Sequence, residues 1–184
     1  MKINKLSRLA FPKFIKLNFG EEGYKKWLLS ISPEAREIYT NKKVNDWYDL
    51  ENIFLDPLQK LCDLFYDGDF FGAEELGKFD VESSINRILK FFVKLGSPEF
   101  VIKKTSAIFG KYYKGVSAEI INLEKNKTRV RVHNFENMKK INEHLLIGWM
   151  IRALEISGAK NIKINTEQKN INNKNVIDFF GTWE

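Results

Sequence analysis

GVSAEIINLEKNKTRVRVHNFENMKKINEHLLIGWMIRALEISGAKNIKINTEQKNINNKNVIDFFGTWE, residues 115–184, decides the fold. Val116, Ala118 and Ile120 alternate toward a short polar turn at Glu124-Lys125-Asn126-Lys127. From Thr128 to His133 the alternation is clean, with Val130 and Val132 on one face and Arg129 and Arg131 on the other. Period-two patterns flanking a short turn predict an antiparallel hairpin with one covered face. From Asn137 to Ser157 the period becomes helical: Ile141, Leu145, Trp149, Ala153 and Ile156 form a stripe that Leu146, Met150 and Leu154 widen. Gly158 follows as a left-handed cap. Asn161 to Glu167 alternates again, the Asn-rich segment 170–175 turns, and Val176 to Trp183 closes a second hairpin. A helix must bury its apolar stripe, and a four-stranded sheet supplies the surface. The fold class is α+β: a helical part over 1–114, then a ββαββ module over 115–184 with a four-stranded antiparallel sheet, together one domain.

Working outward, residues 1–19 mix basic and apolar side chains, and Pro12 is expected to break any long helix there. A turn over Gly20–Gly23 leads to a helix carrying Tyr24, Trp27, Leu28 and Ile31. Ser32-Pro33 has the form of an N-cap with proline at the first helical position, opening a helix through Tyr39. After a polar loop ending at Trp47-Tyr48, a helix runs from Asp49 toward Tyr66 with Pro57 splitting it. Asp67-Gly68-Asp69 is a turn. Phe71 to Lys94 is the strongest helical stretch of the first half, Gly96-Ser97-Pro98 stops it, and Glu99 to Tyr113 forms one further helix.

The composition supports a core, with 43% hydrophobic residues and 14% aromatics, fifteen of them Phe. Such an aromatic share serves packing or lines an apolar pocket. The longest uncharged apolar run, 145–151, falls far short of the ~20 residues that span a bilayer. No small-residue cleavage site follows the basic N-terminus, and one cysteine excludes an internal disulfide framework, so a cytoplasmic setting is expected. The net charge of +6 is modest and carried mainly by lysine, and does not by itself establish nucleic-acid binding.

The chain carries no glycine-rich phosphate loop, paired-cysteine motif or nucleophile elbow. Asp67-Gly68-Asp69 lacks the other oxygen ligands of a calcium loop. His133 and His144 have no second metal-type ligand at helical spacing, so local hydrogen bonding is the expected role of each. Cys62, beside Leu61 and Leu64, reads as a small buried hydrophobe. Trp47-Tyr48, Phe91-Phe92 and Trp149 read first as core. Lys103, Lys104, Lys111 and Lys114 could meet phosphate, although lysines on a solvated helix face ordinarily bind nothing specific. Asp46, Asp49 and Asp67 read as caps and turns. No catalytic residue, cofactor or metal is assigned.

The order Leu145-Leu146-Ile147-Gly148-Trp149-Met150, then Ala153-Leu154-Glu155, Gly158-Ala159-Lys160 and a final hairpin, resembles the 4-vinyl-reductase-like domain. That domain shares its fold with TRAPP tethering subunits and haem-nitric-oxide-binding domains. Residues 72–77 (GAEELG) resemble its small-residue helix start, and the part with Gly20, Gly23, Trp27 and Trp47-Tyr48 is similar to a bacterial paralogue family of unknown function. The resemblance implies a sensing or assembly module, often dimeric, holding a small hydrophobic molecule between helices and a curved sheet. It does not extend to haem. The haem branch has a histidine ligand on a helix before the sheet, and both histidines here come later. Its Tyr-x-Ser-x-Arg motif after the second strand is replaced by His133-Asn134-Phe135-Glu136-Asn137. The tethering branch carries an acylated cysteine, for which Cys62 is the sole candidate.

These readings converge on a non-enzymatic sensor or scaffold domain with a ligand pocket near Phe92, Phe109, Tyr112 and Trp149, acting with a small hydrophobic ligand and a second copy or protein partner. The alternative is a nucleic-acid-binding module using the lysine-rich helix faces, which requires a contiguous basic surface. An enzyme acting on a tetrapyrrole is suggested only by the family's name, since no positioned acid, base or nucleophile supports it.

Overall fold

In the computed structural model, residues 1–41, 45–84, 96–134 and 139–184 are described. The four-stranded sheet is built from two hairpins. β4 (Ser117–Glu124) pairs with β5 (Lys127–His133), and β6 (Lys163–Ile171) pairs with β7 (Lys174–Thr182). The second strands of the hairpins pair with each other, so the order is β4-β5-β7-β6, antiparallel throughout. The turn between β6 and β7 is Asn172-Asn173, with φ of 51° and 60°. Left-handed backbone at both central positions matches the twist of the strands, and asparagine tolerates it better than most residues. Asn126 takes the same conformation (φ 61°) between β4 and β5.

The two faces of the sheet differ as the alternation requires. Val130 lies opposite Phe179, and Val132 opposite Ile177, on the face turned to the helices. On the other face Arg131 lies opposite Asp178 and Arg129 opposite Phe180. The Asp178 carboxylate has no exposed surface. Arg131 grips it with Nε at 2.7 Å and Nη2 at 3.0 Å, Arg129 adds Nη2 at 2.5 Å, and Lys169 stands 3.6 Å away. Burial alone would raise the Asp178 pKa, but hydrogen bonds from Arg131 and Arg129 outweigh it and hold the group below the ordinary carboxylate range.

Between the hairpins runs α7 (Lys140–Ile156), ended by Gly158 at φ 102°. Ala159 N–H donates to Leu154 O at 3.1 Å, the six-to-one bond of a Schellman cap. The helix begins at Lys140, after an extended Lys139, the predicted start at Asn137 lying outside the described residues, and its principal described partner is not the sheet. It packs chiefly on α4 (Phe71–Ser84). A Cβ on Gly77 would stand 2.2 Å from Leu145 O, and one on Gly148 would stand 2.0 Å from Glu74 O. Two glycines therefore let the helix backbones touch.

The N-terminal half differs from expectation in three places. α1 (Ala10–Ser30) runs through Pro12, because a proline in the first turn removes an N–H that has no helical partner anyway. The helix breaks instead at Gly20 (φ 71°). α2 (Pro33–Thr40) starts as predicted, with Ser32 Oγ accepting from Ala35 N–H at 3.1 Å. A π-helical turn, Glu51–Leu55, leads into α3 (Asp56–Phe65) where one split helix was expected. The predicted helix over 99–113 is two, α5 (Pro98–Lys103) and α6 (Thr105–Tyr112). Of the predicted helix over 71–94, α4 accounts for 71–84, and Ile85, Ile88, Leu89, Phe92 and Val93 lie outside the described residues.

A second sheet was not foreseen. β1 (Lys2–Asn4) lies between β2 (Trp47–Asp49) and β3 (Tyr113–Lys114). Strands of two or three residues are too short to show a period. The buried core joins both halves of the chain, from Phe11, Trp27, Leu58 and Leu76 to Val132, Ile141 and Phe179. Phe11 stacks on Trp27 at 5.5 Å, and the Trp27 indole N–H donates to Pro57 O at 3.0 Å.

Two outcomes test this account. Gly77→Ala and Gly148→Ala each force backbone against backbone and should lower unfolding free energy by about 1–3 kcal/mol in urea. Gly110→Ala, where a Cβ meets nothing within 4 Å, should be neutral or slightly stabilising. Asp178 contributes stability above its unfolded pKa of about 3.9, lost as pH falls through the lower folded value. Asp178→Asn should therefore cost about 1–3 kcal/mol at pH 7 and flatten the fall in stability below about pH 4.

Candidate ligand cavity

Where α7 turns from the sheet toward α4, a cavity of about 80 Å³ remains, partly open to solvent. Helical spacing explains its walls. On α6 Thr105, Ile108, Phe109 and Tyr112 recur at offsets of three and four, and all four line it. On α7 Leu146, Trp149 and Ala153 do the same, and α4 contributes Leu76, Gly77 and, one turn on, Asp80. The inward face of the sheet supplies the floor, with Thr128 and Val130 from β5 and Phe179 from β7.

Three of the four predicted pocket residues, Phe109, Tyr112 and Trp149, thus border one space. Phe92 lies outside the described residues. Phe109 and Tyr112 are buried, whereas Trp149 is half-buried and packs on a satellite cluster of Val81, Val101 and Ala153. Asp80, Thr128 and Phe179 were not singled out. Asp80 is the only charged side chain in the described lining, and its signal is a carboxylate four residues after Leu76 on an apolar stripe. Beside it, burial pushes the Tyr113 hydroxyl well above the usual phenol value, and the nearby Asp80 charge pushes in the same direction.

The other candidates are engaged elsewhere. His144 Nδ1 lies 2.6 Å from Glu74 Oε1 across the α4–α7 contact, and His133 Nε2 lies 2.7 Å from Glu119 Oε1. Neither histidine lines the cavity. Tyr48 is buried within β2, and Lys114 sits 4.3 Å over the Trp47 ring. Lys104 and Lys111 likewise lie over Phe100 and Tyr112, at 5.3 and 6.0 Å. Asp46 pairs with Lys5, Asp49 Oδ1 accepts from Asn52 N–H, and Asp67 turns with φ 53°. Asp69 Oδ1 accepts from Phe71 N–H at the start of α4. Among the described residues no group of metal-ligating side chains forms, and no helix is long and apolar enough to cross a membrane.

Comparison with solved structures identifies the fold. An H-NOX protein from K. algicida, Fe(II) and unliganded, superposes with a TM-score of 0.67 at 16% identity, covering 98% of this chain and 96% of that one. An H-NOX protein from S. oneidensis in the Fe(II)NO ligation state gives 0.70 at 12% identity, over 98% and 99%. An oxygen-binding H-NOX domain related to soluble guanylate cyclases gives 0.65 at 10%, over 95% and 92%. At these identities the likeness is one of fold, and this chain has the H-NOX fold. No protein-family model and no curated protein matches the sequence.

Haem is a group of the H-NOX family, and the described lining of this cavity does not suit it. Haem iron is held by histidine, cysteine thiolate, tyrosine or methionine beside histidine. The described lining has no histidine or cysteine, Met150 has no such partner, and of the two buried tyrosines there, Tyr112 and Tyr113, burial pushes the Tyr113 hydroxyl up, away from the phenolate that would bind iron. The haem propionates would find no arginine or lysine in that lining, only Asp80. Size points the same way, since a cavity of ~150 Å³ is what admits one benzene ring.

Cys62 has no exposed surface, and burial pushes its thiol up to about 12. Only the thiolate is nucleophilic. A disulfide reagent at pH 8 should leave the folded chain unlabelled and titrate one thiol after unfolding. Rapid labelling of the folded chain would contradict the packing described.

Proposed function

We propose that this chain is a non-enzymatic sensor or scaffold domain whose cavity between helices and sheet holds a small hydrophobic molecule in place of haem. The observation that carries this reading is the apolar wall of Phe109, Tyr112, Trp149 and Val130 around a space of about 80 Å³. Interiors are ordinarily filled to crystal density. The H-NOX fold supports a sensing role by analogy of architecture. The lining supports the branch resembling the 4-vinyl-reductase-like domain over the haem-holding one. Occupancy would be read by a second copy or a protein partner. Among the described residues of the lining, no acid and base stand together in an arrangement that would turn over a substrate.

Xenon dissolved under pressure enters apolar cavities and should shift the methyl signals of Val130, Ile108 and Leu146 in NMR spectra. Added haemin should produce no coordinated Soret band. A xenon-silent interior together with no ligand in native mass spectra would reduce the protein to a pure interaction domain. A stable Soret complex would overturn the haem exclusion.

A further inference from the structure

The two edges of the four-stranded sheet differ. β4 carries a bulge between Ile120 and Asn122, and Ser106 of α6 donates its hydroxyl to Ala118 O of that strand at 2.5 Å. Among the described residues β6 is the outermost strand on the other side, and Lys163, Asn165, Glu167, Gln168 and Asn170 are exposed along it. Its nine residues hold no proline and pair with β7 without a register shift. A long regular edge is a template for another strand. Ile171 and Lys174 flank the two-residue turn, and the turn's own hydrogen bond joins that pair. Bonded and non-bonded pairs alternate from there, so Asn170, Gln168, Thr166 and Ile164 turn their N–H and C=O groups to the open side. Lysine commonly guards such an edge, but Lys169 is drawn back over its own sheet. Its Nζ stands 2.7 Å from Glu167 Oε2, 3.6 Å from Asp178 Oδ2 and 5.9 Å from the centre of the Phe180 ring.

Charge decides what fits there. Opposite charges directly across a strand pair stabilise it, and like charges destabilise it. An antiparallel copy of β6 centred on Glu167 would use the whole strand but set Glu167 against Glu167. Centred on Thr166, it would set Lys163 against Lys169, and centred on Asn165 it would pair 163–167 alone. Centred on Gln168, residues 165–171 pair, and Glu167 of each copy stands opposite Lys169 of the other. Gln168 then faces Gln168, and Thr166 faces Asn170. We propose that β6 is a self-association edge, pairing antiparallel with β6 of a second copy in the register centred on Gln168 and joining two four-stranded sheets into one. The interface is isologous, so it closes as a dimer. Backbone hydrogen bonds supply the attraction, and the two Glu167–Lys169 pairs fix the register. The proposal does not depend on a ligand in the cavity.

Sedimentation equilibrium of the full chain over a wide range of concentration should show a monomer–dimer equilibrium. Asn170→Pro removes an edge N–H that β7 does not use, at a position where an edge strand tolerates proline. It should leave the chain folded, as thermal unfolding would show, and abolish the dimer. Glu167→Lys sets like charges opposite Lys169 of the second copy and should weaken association about ten-fold. Combining it with Lys169→Glu restores the alternation and should restore the dimer. Should Asn170→Pro fail to fold, the charge exchange and its rescue decide the matter. A chain that stays monomeric at every concentration overturns the proposal, as does a dimer that neither Asn170→Pro nor Glu167→Lys weakens. A dimer that Asn170→Pro abolishes and Glu167→Lys leaves intact overturns the register centred on Gln168.

Discussion

At the crossing of α4 and α7 the two helix backbones meet with no side chain between them, since a Cβ on Gly77 or Gly148 would reach 2.2 or 2.0 Å from a carbonyl oxygen of the other helix. Two ordinary helices keep their axes 8–10 Å apart. Here the close approach fixes where everything else lies. α4 belongs to the N-terminal half and α7 to the ββαββ module, so this contact ties the halves together. It also turns α7's apolar stripe so that part meets α4 and part looks toward the sheet. The cavity is what that division leaves uncovered.

Around the crossing, polar groups are matched rather than left over. The His144–Glu74 pair bridges the two helices at 2.6 Å. Glu143, buried on α7, accepts from Gln168 Nε2 of β6 at 2.5 Å. Such bonds matter more for their absence than their presence, because an unpaired buried polar group costs its full desolvation. Among the described residues Asn142 of α7 is an exception, fully buried with neither side-chain atom partnered, and Nε of Arg152 is another. On the outer face of the sheet, Asp178 shows the opposite solution, a buried carboxylate held by two guanidinium groups. The charge that could have destabilised the sheet instead joins β5 to β7.

The cavity inherits its character from these constraints. Its walls are the apolar faces of amphipathic elements, so it is greasy by default. Its one described charge sits where the α4 stripe passes from core to surface. A fold that carries haem in the H-NOX family is here lined, among the described residues, without histidine, cysteine, arginine or lysine.

Much of the architecture was legible from the chain alone. Period-two alternation at Val130 and Val132, and helical spacing from Ile141 to Ile156, determined the ββαββ module, because each element must turn one face from water whatever it packs against. Ser32-Pro33 and Gly158 marked helix ends through local hydrogen bonding, which needs no tertiary partner. Phe109, Tyr112 and Trp149 could be picked out as aromatics near the module. What the tertiary structure decided was non-local. The short strands at Lys2–Asn4 and Tyr113–Lys114 exist only because they find each other. The pairing of α7 with α4 depends on two glycines 71 positions apart, Gly77 and Gly148, that carry no side chain to announce it. The place of Asp80 beside the cavity is decided only when helices and a sheet close around that space, since a sequence records what each residue is but not which empty space it faces.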